Sequence, residues 1–168
     1  MADSYSLYLV RHAIAAERGE QYPDDSKRPL TGQGMARFRK AVRGLAELDV
    51  EVDLILTSPF ARARQTAEIL SDQMRGHPEI VETASLVPGA THADLIAELA
   101  NYAKRSALAL VGHEPGIGTA AARLVGSKGA FEFKKGGVCR IDVSSLPPAG
   151  PGRLIWFATP KMLIGMKG

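Results

Sequence analysis

The sequence predicts an α/β fold: a three-layer α/β/α sandwich with a mostly parallel central sheet. Two observations carry that expectation. Short apolar runs of strand length alternate with stretches whose apolar residues recur at helical spacing. Three of the apolar runs also end on residues with chemical potential: Arg11-His12, Thr57-Ser58-Pro59 and Gly112-His113. In open α/β sheets ligands bind outside the carboxyl ends of the strands, so these ends are the places to look.

Taken in order, Tyr5–Val10 is a buried strand that delivers Arg11 and His12 to the sheet edge. Residues 13–30 form a polar loop with Gly19, Pro23, Asp24, Asp25 and Pro29. Thr31 caps a helix to about Leu48, with Met35, Phe38, Val42 and Leu45 on one face. The second strand, Asp53–Thr57, stops at Ser58-Pro59. Pro59 suits the first turn of the next helix, and Ser58 or Thr57 its cap. That helix runs to about Met74, and a short strand near Glu79–Thr83 follows. A third helix spans about Ala93–Lys104, a strand Ser106–Val111, and a small-residue helix Gly116–Val125. Segments 137–143 and 153–158 read as a hairpin-type addition or edge strands around a loop rich in Pro and Gly. No repeat or linker interrupts the chain, so residues 1–168 are expected to form a single catalytic domain.

Composition removes several function classes. A hydrophobic content of 45% against 23% charged residues is that of a globular chain with a sizeable core. The net charge of +3 is modest and scattered, and aromatics at 6% do not interleave with the basic residues, which argues against a nucleic-acid partner. The N-terminus lacks a basic region before a long apolar run, and no apolar stretch approaches membrane-spanning length. A soluble cytoplasmic protein without a membrane partner is expected. Cys139, the single cysteine, lies in a strand-like run and reads as a buried structural thiol.

If the three strands are parallel, their ends open into one crevice holding two arginines and two histidines, with no Asp or Glu in the inner set. Such a cluster repels itself unless an anion is present, and arginine forks match phosphate geometry. Arg62 and Arg64 stand about 200° apart around a helix, so only one can face the crevice. Arg62 sits in the first turn with its side chain leaning toward the helix N-terminus, where free N–H groups favour an anion. The spacing alone leaves open that Arg62 pairs with Glu68 on an exposed face, and that His113 is a core histidine in a capped turn. A metal site on His12, His113 and Glu114 is disfavoured: neither His-x-His nor His-x-x-x-His spacing occurs, and the arginines oppose a cation.

Leu7–Ala13, Arg28-Pro-Leu-Thr31 followed by Gly34, Thr57–Ala67 and Val111-Gly-His113 occur in the order found in the histidine phosphatase superfamily. The chain resembles its short SixA-type members, the phosphohistidine phosphatases, at motif level to about Gly118. The resemblance implies a histidine-phosphatase-like fold and a metal-independent, cofactor-free mechanism through a covalent phosphohistidine. It implies His12 as nucleophile, Arg11 and Arg62 as holders of the phosphoryl oxygens, and His113 as the residue completing the pocket. A phosphorylated protein or a small phosphorylated molecule would be the partner, and inorganic phosphate the product.

Two departures stand out. Ala13 replaces a glycine common in relatives, which limits backbone freedom there. Mutase-like relatives also place a Glu acid in the stretch Leu86–Asp94, where no clear equivalent stands. Asp24, Asp25, Asp94 and Glu98 are weak candidates for a general acid. An alkoxide leaving group, with a conjugate acid near 15.7, needs protonation, whereas imidazole at about 6.5 departs readily. Phosphohistidine on a protein is therefore the favoured substrate. A phosphomonoesterase acting on small esters and a non-catalytic phosphate-binding module are the alternatives.

Overall fold

The computed structural model describes residues 4–166. It contains six strands in one sheet: β1 (Tyr5–Arg11), β2 (Leu54–Thr57), β3 (Glu79–Glu82), β4 (Ala107–Gly112), β5 (Val138–Val143) and β6 (Arg153–Ala158). Their order is β3-β2-β4-β1-β5-β6. The first four run parallel, β5 is antiparallel to β1, and β6 is antiparallel to β5. The last two strands thus form a hairpin that extends the parallel sheet, with a register shift at Arg140/Ile141.

Side chains of the central strands alternate between two apolar layers. Tyr8, Val10, Ile55, Ala109 and Val111 pack beneath helices α1 (Gly32–Ala46), α2 (Ala61–Gln73) and α5 (Pro160–Gly165). Leu7, Leu9, Leu54, Leu56, Leu108 and Leu110 pack beneath α3 (His92–Leu99) and α4 (Gly116–Leu124). Strands buried on both faces explain why the sequence shows continuous apolar runs rather than strict alternation. Cys139 is fully buried in the second layer, and burial pushes its thiol up to about 12. No helix among the described residues is long and apolar enough to cross a membrane.

Side-chain caps start α1, α3 and α5. Thr31 accepts from the Gly34 N–H at the start of α1, as its sequence position predicts. Gly34 is also required sterically, because a Cβ there would collide with the Ile14 carbonyl of the loop after β1. Three boundaries differ from expectation. Helix α2 starts at Ala61 rather than at Pro59, since Ser58 turns its hydroxyl elsewhere and Phe60 is the N-cap. The third helix gives way after Leu99 to a 3₁₀ turn over Ala100–Tyr102. Helix α5 follows a segment with no predicted element beyond 158, although Thr159-Pro160 carries a cap and a first-turn proline.

Candidate active site

Sheet register assembles the site. Val10 pairs with Val111 and Arg11 with Gly112, so one further residue brings His12 beside His113. Thr57 pairs with Val111 on the other side of β4, which brings Ser58 to the same end. The His12 N–H donates to the Gly112 carbonyl at 3.0 Å, and the Ser58 N–H to the Val111 carbonyl at 3.0 Å. The two imidazoles lie 5.2 Å apart, centroid to centroid. Both are almost fully buried.

The main chain fixes the proton on His12. Its Nδ1 lies 2.7 Å from the Ala13 carbonyl oxygen, which can only accept, so Nδ1 carries the hydrogen and Nε2 presents its lone pair. Burial lowers the imidazole pKa to about 4, partly offset by that hydrogen bond and reinforced by Arg62, Arg11 and Arg28. His12 is therefore a neutral base at pH 7. Ala13 fits without strain: its backbone stays out of the left-handed region, and its N–H donates to the Thr66 hydroxyl at 3.0 Å.

His113 Nε2 lies 2.8 Å from Ser58 Oγ, which also accepts from the Phe60 N–H at 3.2 Å. The hydroxyl read from sequence as a helix cap is thus committed to the histidine. Burial, His12 and Arg62 push His113 down to about 3, so it too is neutral at pH 7 when no anion shares the pocket. Phe60 packs edge-on against it at 5.3 Å. His113 Nδ1 is buried without a protein partner.

Of the two arginines on α2, Arg62 is the buried one, at 2% exposure. Arg64 points away and pairs with Glu68 at 3.1 Å and Glu82 at 3.7 Å, taking the surface contact that sequence spacing left open for Arg62. Arg11 donates from one terminal nitrogen to the Phe133 carbonyl at 2.7 Å. Arg62 donates to the Asp25 backbone carbonyl at 2.9 Å and to its carboxylate at 3.0 Å. The Nε atoms of both arginines are buried without protein partners.

Asp25 corrects the expectation of an inner set free of acids. Its carboxylate bridges Arg62 and Arg28, each at 3.0 Å, with Arg18 at 3.7 Å. Burial works to raise its pKa, but the hydrogen bonds from Arg28 and Arg62 prevail and hold it below the usual carboxylate range. It is an ion-pair partner, not a proton donor. Arg28, quoted in the sequence motif without a separate role, is buried and further anchored on the Ala16 carbonyl at 2.7 Å.

The other candidate acids are engaged elsewhere. Asp24 caps the 3₁₀ turn Asp25–Lys27 through the Ser26 N–H. Asp94 forms a capping box with Thr91, and Glu98 accepts from the Tyr102 hydroxyl. Among the described residues, no group of three or more His, Cys, Asp or Glu side chains is placed to hold a metal ion. Beyond His113 a cavity of about 470 Å³ opens between the 85–93 segment and α4.

The family model described as histidine phosphatase superfamily (branch 1) matches residues 7–107, so the match stops short of His113. An uncharacterized protein of Picosynechococcus sp. is 36% identical over 165 residues, covering 94% of this chain and 98% of that protein. The chain belongs to the histidine phosphatase superfamily. Phosphatase activity is supported by that membership. Phosphohistidine phosphatase SixA of Escherichia coli strain K12 is 25% identical over 160 residues, covering 92% of this chain and 93% of SixA. A solved structure of the protein histidine phosphatase SixA with tungstate superposes with a TM-score of 0.82 at 25% identity, covering 93% of this chain and 97% of that one.

Proposed function

We propose that this histidine phosphatase hydrolyses phosphohistidine on a protein through a covalent phospho-His12 intermediate. The observation that carries the proposal is the cationic cluster at His12: His113 lies 5.2 Å away, centroid to centroid, the charges of Arg62, Arg11 and Arg28 bear on the ring, and Nε of Arg11, Nε of Arg62 and Nδ1 of His113 are buried without protein partners. Buried donors without acceptors cost free energy, and a phosphoryl group supplies the missing acceptors. The tungstate held by SixA is an oxyanion of the same kind.

In the proposed reaction, His12 Nε2 attacks phosphorus with its lone pair while the bond from phosphorus to the substrate imidazole breaks. The departing imidazole, protonated on its other nitrogen, leaves as the neutral base. Water then attacks phospho-His12, releasing inorganic phosphate and regenerating the imidazole. Arg11 and Arg62 offset charge on the equatorial oxygens. In the neutral ring of His113 the Ser58 hydroxyl donates to Nε2 and leaves Nδ1–H for the same oxygens; when a bound dianion favours the imidazolium, Nε2–H donates to Ser58 Oγ instead and Nδ1–H is unchanged. No metal takes part in these steps.

The commitment of Asp24, Asp25, Asp94 and Glu98 to other partners supports a substrate whose leaving group needs little protonation. Acid-labile phosphate is expected on His12 after brief exposure to a phosphohistidine protein, and none after His12→Ala. Rates on that protein are then compared with a panel of phosphate esters. Turnover surviving in the His12→Ala protein defeats the covalent route, and uniformly faster ester hydrolysis defeats the substrate assignment.

A further inference from the structure

The cavity beyond His113 has no role in the chemistry above, yet it is continuous with it, since Gly112 and His113 form part of its wall. Its volume of about 470 Å³ lies within the range of pockets that bind whole ligands. Leu86, Leu95 and Ile117 give it an apolar floor. His92 and Arg123 supply polarity, and His92 Nδ1 is buried without a protein partner. Glu114 also lines it, but its carboxylate is turned onto the Gly118 N–H at 2.8 Å.

We propose that this cavity binds the substrate segment flanking the phosphorylated residue and selects an apolar side chain followed by a carboxylate. The inference rests on the reading of the chain as a phosphohistidine phosphatase and names a specificity element for it. The apolar side chain covers the leucine and isoleucine floor. The carboxylate meets Arg123 and the imidazole of His92, which both line the cavity. A basic segment would bring like charge against Arg123. His92 and Arg123 thus act on the flank of the substrate, remote from the phosphorus.

The test uses two phosphohistidine peptides, one with Leu-Glu after the phosphorylated residue and one with Ser-Lys, and phosphoramidate as a reference without flanks. The wild-type protein is expected to favour the Leu-Glu peptide by about tenfold in kcat/KM. Thr119→Trp, which fills the cavity from α4, and His92→Ala are each expected to erase most of that preference. Both should also lower the ratio of Leu-Glu peptide to phosphoramidate efficiency, whereas Arg64→Ala leaves the ratio alone. Equal use of the two peptides by the wild type overturns the proposal, as does a parallel fall on peptide and phosphoramidate. Should the wild type hydrolyse esters but no peptide, the phosphohistidine reading fails by itself. The cavity is then judged by inhibition of ester turnover: tighter inhibition by the Leu-Glu peptide, lost in both variants, upholds it, and equal inhibition overturns it.

Discussion

His12, His113 and Ser58 stand at the ends of neighbouring parallel strands, whereas Asp25 reaches the same pocket from the loop between β1 and α1. The strand-end groups are positioned by main-chain register and need no side chain to place them. Asp25 is positioned by the guanidiniums it binds, and its side chain is 41% exposed. One half of the pocket is thus set by the sheet, and the other by charge. The first half resists change in salt, while the second depends on a pair open to solvent.

The sharpest way to test that division is to remove the buried member of the charged half. Arg62→Ala is expected to lower kcat/KM by about 10²–10³-fold, the usual cost of one charge-stabilising donor, as measured by steady-state kinetics. Next in size is the pH response of the strand-end histidines. Their folded pKa values, about 4 and about 3, lie below the ordinary value of 6.5. The unfolded chain therefore binds protons first as pH falls, and stability present above about 6.5 is lost progressively down to the folded values. Denaturation at pH 7 and pH 4.5 should show a loss on the order of a few kcal/mol. NMR titration of the anion-free protein should find both rings neutral at pH 6.

Asp25→Asn sharpens the comparison from the opposite side. It removes a negative charge while the backbone carbonyl at position 25 still holds Arg62, so inorganic phosphate should inhibit about threefold more tightly. Thermal unfolding should show a loss of about 1 kcal/mol, well below the cost of breaking a fully buried pair, because Asp25 is part-exposed. Weaker inhibition would mean that the carboxylate aims Arg62 rather than balances it. The smallest effect belongs to Arg64→Ala, where kinetics should stay within about twofold. Equal losses for Arg62 and Arg64 would erase the distinction between the two faces of α2.

What the sequence made legible follows the same line. Apolar runs ending at Arg11-His12 and Gly112-His113 place those residues once the strands are parallel, and helical spacing separates Arg62 from Arg64. Ser58 was visible as a polar residue at a strand end, but its choice between capping α2 and binding His113 depends on a strand distant in sequence. Asp25 was visible only as a loop acid, since its partners come from residues 28 and 62 in a conformation no local pattern encodes. The Ala13 carbonyl that sets the proton on His12 is main chain, which sequence does not advertise. The cavity beyond His113 was equally hidden, because its walls meet only when the 85–93 segment folds over α4.

The Thr66 hydroxyl gives the site a mechanical property. It donates to the Arg62 carbonyl at 2.7 Å and accepts from the Ala13 N–H at 3.0 Å. The backbone beside His12 and the turn of helix that carries Arg62 are therefore fastened to one oxygen atom. Any displacement of α2 pulls on the backbone behind His12, so His12 and Arg62 keep their spacing.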